Sequence, residues 1–166
     1  DDSLSDERRA EYLKIIEEEA GRLSDLATNV LNLGKVENMS ILTEKKRFNA
    51  SEQIRNCLLL LEKKWSAKNI DLDVEFDDYD IEADEELMKQ VWINLFDNAI
   101  KFTPDGGKIS VSFAGDARFI CATITNYGAE IPSESLGKIF NKFYQGDTSH
   151  ASRGNGIGLS IVKRIV

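Results

Sequence analysis

A long run of residues without proline occupies the first part of the chain, between Ser5 and Glu37. Its apolar positions follow the 3-4-3 spacing of a coiled-coil seam and extend upstream to Tyr12 and Ile16; the seam itself consists of Leu23, Leu26, Val30 and Leu33. Ser5 is a suitable N-cap, and the two acidic residues that follow it lie in the first turn, at the positive end of the helix dipole. The pattern predicts one long helix. Since its apolar face is narrow, this helix requires a partner helix.

Shorter helices and strands alternate in the remainder of the chain. Ser51 is predicted to cap a helix that runs to about Ala67. Strands are predicted in KRFN and at 70–76 and 81–84, followed by a helix at 84–103. A hairpin of strands at 108–115 and 119–126, with its turn at 115–118, comes next. The last predicted elements are a short helix at 135–143 and a helix in GIGLSIVKRIV. This order predicts an α+β fold, a two-layer α/β sandwich whose mixed sheet has helices on one face, preceded by the long coiled-coil-like helix.

The composition limits which partners the chain is expected to bind and in which compartment it is expected to lie. The chain has 21 Lys+Arg against 29 Asp+Glu, and its net charge of −8 argues against nucleic acid as a partner. Cys57 and Cys121 both stand in apolar runs, which predicts two buried free thiols in a reducing, cytoplasmic compartment. No stretch approaches the roughly 20 apolar residues of a membrane span.

Three polar side chains share one face of the predicted helix at 84–103. Asn94 and Asn98 are four residues apart, and Lys101 follows after three more. Amide oxygens can complete the coordination of Mg²⁺ that takes its other ligands from phosphates and water. The alternative is that two asparagines simply lie on a solvated helix face.

Two loops offer further chemistry. The glycines of Gly154-Asn155-Gly156-Ile157-Gly158 precede an apolar helix, so their backbone N–H groups and the helix N-terminus can bind a phosphate. Their spacing fits neither the dinucleotide-binding fingerprint nor a Walker loop. Asn126 ends a strand before a glycine turn, where its amide could bind a flat heterocycle. Taken singly, the glycine segment is weak evidence, because flexible loops use the same residues, and the Asn126 segment fits an ordinary strand-exit turn better.

Together, the ordered segments resemble the ATP-binding catalytic domain of two-component sensor histidine kinases, within the wider ATPase group of DNA gyrase, Hsp90 and the mismatch-repair MutL proteins. NLFDNAIKFTP resembles the asparagine box, TNYGAEIP the first glycine box, IFNKFYQGD the phenylalanine box and GNGIGLSIVKRIV the second glycine box. The upstream helix is similar to the second helix of the dimerisation and phosphotransfer hairpin. The resemblance therefore implies a partial hairpin helix at 1–40 and an ATP-binding domain at 41–166 without its last strands.

The resemblance also implies roles for individual residues. Asn94 and Asn98 would hold Mg²⁺, Lys101 would lie near the phosphates of ATP, and Phe102 near the nucleotide. A mobile lid would run from about 144 to 155, anchored by phenylalanines of the third box. The remaining positions implied to bind nucleotide are Asn126, Gly128, Ile131, Lys142, Gly154, Gly156, Gly158 and Leu159.

Some positions depart from the family pattern. Asn126 stands where the family usually has an aspartate that accepts a hydrogen bond from adenine, and Glu130 replaces a glycine. Lys142 and Gln145 stand where arginine is frequent. The amide at position 126 brings no charge to that bond, so we expect weaker or less selective adenine binding.

The function implied is transfer of the γ-phosphoryl group of ATP to a histidine on a separate acceptor-helix segment, with a response regulator as the next partner. No catalytic residue is expected within the chain, because its single histidine, His150, lies in the lid-like loop. The full protein would be a membrane-anchored sensor with a cytoplasmic kinase portion and a homodimer interface at 6–37. The alternative is a degenerate kinase-like domain that serves as a dimerisation or regulatory scaffold. A protein-serine kinase of this group fits less well, because such proteins lack the hairpin helix.

Overall fold

The structure is a computed structural model that describes residues 5–37, 44–115, 119–128, 130–146 and 155–166. Its elements are α1 (Asp6–Glu37), β1 (Lys46–Asn49), α2 (Ala50–Leu60), α3 (Glu62–Ala67), β2 (Asp71–Glu75), β3 (Asp80–Ala83), α4 (Glu85–Phe102), β4 (Lys108–Gly115), β5 (Ile120–Asn126), α5 (Ser133–Leu136) and α6 (Gly158–Ile165). His150, Gly154 and residues 116–118 of the hairpin turn predicted at 115–118 lie outside these ranges.

The strands form two sheets rather than the one sheet that was expected. β1 pairs antiparallel with β3, while β4 lies between β2, its parallel neighbour, and β5, its antiparallel neighbour. The α+β prediction with a mixed sheet is therefore correct. Residues 76–79, which connect β2 to β3, are not in strand conformation.

The core lies between the three-stranded sheet and the helices α2 and α4. On β4, Ile109, Val111 and Phe113 are buried, while the alternate serines face outward, as the period-two pattern of a one-sided sheet requires. Ile54 of α2 and Phe96 of α4 are completely buried against this layer.

The beginning of α2 corrects the predicted cap. Asn49, not Ser51, is the N-cap residue, and its side chain accepts a hydrogen bond from the Glu52 N–H at 2.7 Å. The Ser51 hydroxyl instead donates to the Asp77 carbonyl at 2.8 Å and accepts from the Tyr79 N–H at 3.0 Å. Ser51 therefore ties the connection after β2 to the helix.

The boundaries of two other helices and the exposure of one cysteine differ from expectation. The helix predicted to run to about Ala67 breaks at Leu61 into α2 and α3, and the predicted helix at 135–143 is the single turn α5 followed by turns. Cys57 is buried as predicted, but Cys121 is exposed, because it lies on the outer face of β5. Apolar neighbours in the sequence did not reveal that outward position.

The long helix α1 is confirmed, and the Arg8 N–H lies 3.4 Å from the Ser5 hydroxyl oxygen at its start. Leu26 packs against α6, whereas Leu23 and Val30 are exposed along with several apolar residues upstream; the side chain of Leu33 lies outside the described part. No helix in the described ranges is both long and apolar enough to cross a membrane.

Candidate functional site

The polar face of α4 is the base of the candidate site. The Asp84 side chain caps this helix by accepting from the Leu87 N–H at 3.1 Å. One side of the helix is buried in the core, so Asn94, Asn98 and Lys101 fall on its half-buried border. The spacing that predicted a shared polar stripe thus corresponds to a stripe at the edge of the core.

Asn94 meets the beginning of α6. Its side-chain nitrogen donates to the Gln90 carbonyl one turn earlier, at 2.9 Å. Its oxygen is turned toward Gly158, where an added Cβ would lie only 2.9 Å from that oxygen. A side chain at position 158 would therefore displace the Asn94 amide or α6, and the amide oxygen of Asn94 is oriented by a hydrogen bond made through the other end of the same group.

Lys101 and Phe102 lie at the C-terminal end of α4. Burial lowers the pKa of Lys101 below its ordinary value of 10.5, and the nearby carboxylate of Asp97 partly opposes this shift. The ammonium group lies 4.9 Å from the centre of the Phe102 ring. That ring is 45% exposed, a large apolar surface beside a cation. The pair can bind a ligand that has both an aromatic and an anionic part.

The end of β5 packs directly on the end of α4. A Cβ added to Gly128 would lie 2.2 Å from the Phe102 carbonyl oxygen and 3.4 Å from the Asn126 side-chain nitrogen. Asn126 is half-buried, and Ile131 is 52% exposed just after the glycine turn. The structure thus brings Asn126 and Phe102 to one edge.

The phenylalanine-box segment packs against the second glycine box. Gly156 has a φ of +64°, and a Cβ there would lie 2.6 Å from the Tyr144 carbonyl oxygen. The Tyr144 hydroxyl donates to the Ser135 hydroxyl oxygen at 2.9 Å, which fixes the segment to α5. The two described ends of the predicted lid therefore touch each other.

The predicted aromatic anchors of that lid are partly exposed. Phe140 lies 5.7 Å from the ammonium group of Lys163 on α6, and Phe143 is 62% exposed with a φ of +62°. Lys142, between them, is exposed. In the second glycine box, Leu159 is half-buried, while Ile157 and Ile161 are completely buried and pack with Leu26 of α1 and Leu87 of α4.

Two lysines outside the predicted boxes also act on α4. Lys64 forms an ion pair with Asp97, and the Lys68 ammonium group donates to carbonyl oxygens at the end of the helix. The sequence signal for them was weak, because both contacts join residues more than thirty positions apart.

Comparison with known families covers the part of the chain that carries these boxes. The model of the histidine kinase-, DNA gyrase B- and HSP90-like ATPases matches residues 83–166, just over half of the chain. The chain belongs to this ATPase family. The match begins at the end of β3 and covers α4, the end of β5 and the start of α6, which are the elements that form the site.

Curated relatives of this ATPase-family chain are sensor kinases. Histidine protein kinase DivJ of Caulobacter vibrioides is 32% identical over 163 residues, which are 96% of this chain and 27% of DivJ. Sensor histidine kinase HprS of Escherichia coli is 32% identical over 160 residues, with 94% of this chain and 35% of HprS covered. The chain thus spans about a third or less of the length of these relatives.

Solved structures agree with the fold. The nucleotide-free catalytic domain of histidine kinase ThkA superposes with a TM-score of 0.67 at 38% identity, covering 74% of this chain and 80% of that domain. Histidine kinase ThkA in complex with the response regulator TrrA superposes with a TM-score of 0.77 at 32% identity, covering 98% of this chain and 45% of ThkA. Because the longer match includes nearly all of the chain, α1 has a counterpart in that kinase.

Proposed function

We propose that this chain is the ATP-binding kinase core of a sensor histidine kinase. In this role it binds Mg²⁺-ATP and transfers the γ-phosphoryl group to a histidine on a separate acceptor helix. The observation that carries the proposal is the contact between Asn94 and Gly158, because it directs an amide oxygen of the asparagine box to the first turn of the glycine-box helix. Unpaired N–H groups at a helix start and a neutral oxygen ligand suit a metal–phosphate group.

The proposed roles separate the residues that bind the metal and phosphates from the residues that bind the base. Asn94 and Asn98 supply neutral oxygen ligands to Mg²⁺, and Lys101 binds the phosphates. Phe102 and Ile131 offer exposed apolar surface to the base, while Asn126 accepts a hydrogen bond from it. The remaining proposed nucleotide contacts are Gly128, Lys142, Gly154, Gly156, Gly158 and Leu159.

These residues act by binding and orienting the nucleotide. When bound, Mg²⁺ neutralises charge on the phosphates that the reaction must transfer. A phosphoryl transfer of this kind depends on in-line positioning, so the chain contributes geometry and electrostatics, and the nucleophile comes from the acceptor segment. The imidazole nitrogen forms the new bond to phosphorus as the bond to the leaving ADP oxygen breaks.

The proposed organisation assigns residues 1–40 to the second helix of a phosphotransfer hairpin and 41–166 to the ATP-binding domain. Support comes from the apolar residues that α1 leaves exposed, including Leu23 at 67% and Val30 at 49%. A helix with such a face is stabilised by pairing with others, so residues 6–37 are proposed to form the homodimer interface in the full protein. The full protein would be a membrane-anchored sensor whose cytoplasmic portion includes this chain and whose phosphoryl group passes to a response regulator.

Titration calorimetry with ATP, with and without Mg²⁺, tests the proposal. We expect binding that Mg²⁺ strengthens, and acid-labile phosphohistidine when an acceptor segment is supplied. The competing function, a scaffold without turnover, is favoured by the uncharged Asn126 at the base-binding edge. An unmodified protein that forms no phosphohistidine, together with labelling restored by Asn126→Asp, would establish the scaffold instead.

A further inference from the structure

The C-terminal end of α4 is held by a single ammonium group from another element. The last carbonyl groups of a helix have no partner within the helix. The Lys68 side chain, just after α3, donates to the carbonyl oxygens of Ile100 at 2.9 Å, Lys101 at 3.2 Å and Thr103 at 2.5 Å. One cation thus satisfies three acceptors at the negative end of the helix dipole.

The missing member of this series is the carbonyl group of Phe102. That oxygen is directed elsewhere, to the glycine turn after β5, where it lies 2.2 Å from the position of a Cβ on Gly128. Lys68 binds the carbonyl groups of Lys101 and Thr103, on either side of Phe102, so the Phe102 carbonyl lies between two backbone positions that the same ammonium group holds. The Lys68 bonds therefore fix the direction in which the Phe102 peptide faces the β5 edge.

The backbone around Lys68 is itself rigidly connected. Its own carbonyl accepts a hydrogen bond from the Gly106 N–H at 2.7 Å, and the Thr103 hydroxyl donates to the Ala99 carbonyl at 2.7 Å. Thr103 is almost fully buried. Hydrogen bonds thus hold both the backbone of Lys68 and the turn that follows α4. Lys68 therefore has a fixed position relative to the end of α4.

The positive charge of Lys68 has a second effect at the end of α4. The carbonyl end of a helix carries partial negative charge, which opposes the approach of an anionic ligand. Asp97 adds a carboxylate to the same half of α4, and Lys64 pairs with it. Lys64 and Lys68, one helical turn apart, therefore offset both negative groups next to Lys101.

We propose that Lys68 is a positioning residue for nucleotide binding: it holds the last turn of α4 so that Lys101 and Phe102 face the nucleotide. This inference rests on the proposed function. Lys68 itself touches no ligand in this proposal and acts through the backbone of the residues that do.

The test compares Lys68→Met with Lys63→Met in the full chain. Lys63 is exposed on α3, the short helix that Lys68 follows, so its replacement changes the net charge equally and leaves the Lys68 hydrogen bonds to α4 in place. Titration calorimetry with Mg²⁺-ADP should give a dissociation constant about tenfold higher for Lys68→Met, at unchanged stoichiometry, and a change of less than about twofold for Lys63→Met. Lys68→Arg, which keeps the cation and its donors, should recover most of the affinity.

Amide hydrogen exchange supplies the second readout. Lys68→Met should accelerate exchange at residues 100–104 and leave the first half of α4 unchanged. An unchanged dissociation constant in Lys68→Met would overturn this inference and leave the proposed function intact. A lower stoichiometry with an unchanged dissociation constant would do the same, because part of the sample is then unfolded and the folded part binds ADP normally. If Lys68→Met does not fold, Lys68→Gln replaces it in the same comparison. Absence of ADP binding by the unmodified chain would overturn the proposed function as well.

Discussion

Replacing Gly158 by alanine should weaken Mg²⁺-dependent nucleotide binding while leaving stability nearly unchanged. The new methyl carbon would lie 2.9 Å from the Asn94 side-chain oxygen and 3.5 Å from its amide carbon. The amide must then rotate away or α6 must shift. Rotation breaks the 2.9 Å hydrogen bond to the Gln90 carbonyl and turns the oxygen away from the site.

The two contributions to stability nearly cancel. Losing one hydrogen bond costs about 0.5–1.5 kcal/mol, whereas alanine is better than glycine in a helix by about 0.5–1 kcal/mol. The free energy of unfolding should therefore change by less than about 1 kcal/mol. A displaced group at a metal site typically costs about tenfold or more in affinity, which is about 1.4 kcal/mol.

Calorimetric titrations with ATP, performed with Mg²⁺ and with a chelator, isolate this effect. In Gly158→Ala the strengthening of ATP binding by Mg²⁺ should shrink at least about tenfold, and binding without metal should change less. Gly137→Ala is the matched control, because Gly137 has ordinary helical dihedral angles and no atom within 4 Å of an added Cβ. If Gly158→Ala keeps the full effect of Mg²⁺, Asn94 is not a metal ligand and the reasoning is wrong.

Four further predictions concern Gly128, the two cysteines and the cap of α2. Gly128→Ala should lower the free energy of unfolding by about 1–3 kcal/mol in urea titrations, because its Cβ would overlap the backbone oxygen of Phe102 at 2.2 Å; an unchanged midpoint would refute the close approach. Ellman's reagent should modify the exposed Cys121 rapidly and the buried Cys57 only on unfolding, and two fast equivalents would contradict the burial of Cys57. Burial also raises the pKa of the Cys57 thiol from 9.0 to about 11, so the unfolded thiol ionises first. Stability should accordingly fall by roughly 2–3 kcal/mol as the pH rises from 9 to 11, with a smaller fall in Cys57→Ala. Asn49→Ala should remove the cap of α2 and lower the melting temperature by about 2–4 °C, measured by circular dichroism, whereas an unchanged melting temperature would exclude this cap.

Local patterns were enough to predict most elements of the fold. The helix at α4 and the strand at β4 were found because their periodicities are strong and their ends carry local signals, such as Asp84 at the start of α4. The errors arose where a distant residue decides between two local choices. Asn49 and Ser51 are both good caps, and Ser51 is excluded from that role only because its hydroxyl is engaged by residues 77 and 79.

The candidate site divides in the same way. Asn94, Asn98 and Lys101 could be grouped from sequence because they share one helix face. The orientation of the Asn94 oxygen could not be predicted, since it depends on where α6 packs.

The two ends of α4 show why one stabilising contact of this helix could be predicted from the sequence and the other could not. A helix is stabilised by negative charge at its start and positive charge at its end. At the start the chain itself supplies Asp84, adjacent in sequence, so the pattern reveals it. At the end the chain supplies Lys101 locally, but the cation that binds the last carbonyls is Lys68, which reaches them from a turn more than thirty residues earlier. Because the nucleotide-facing residues lie at that second end, the geometry of the site depends on a contact that no local motif encodes.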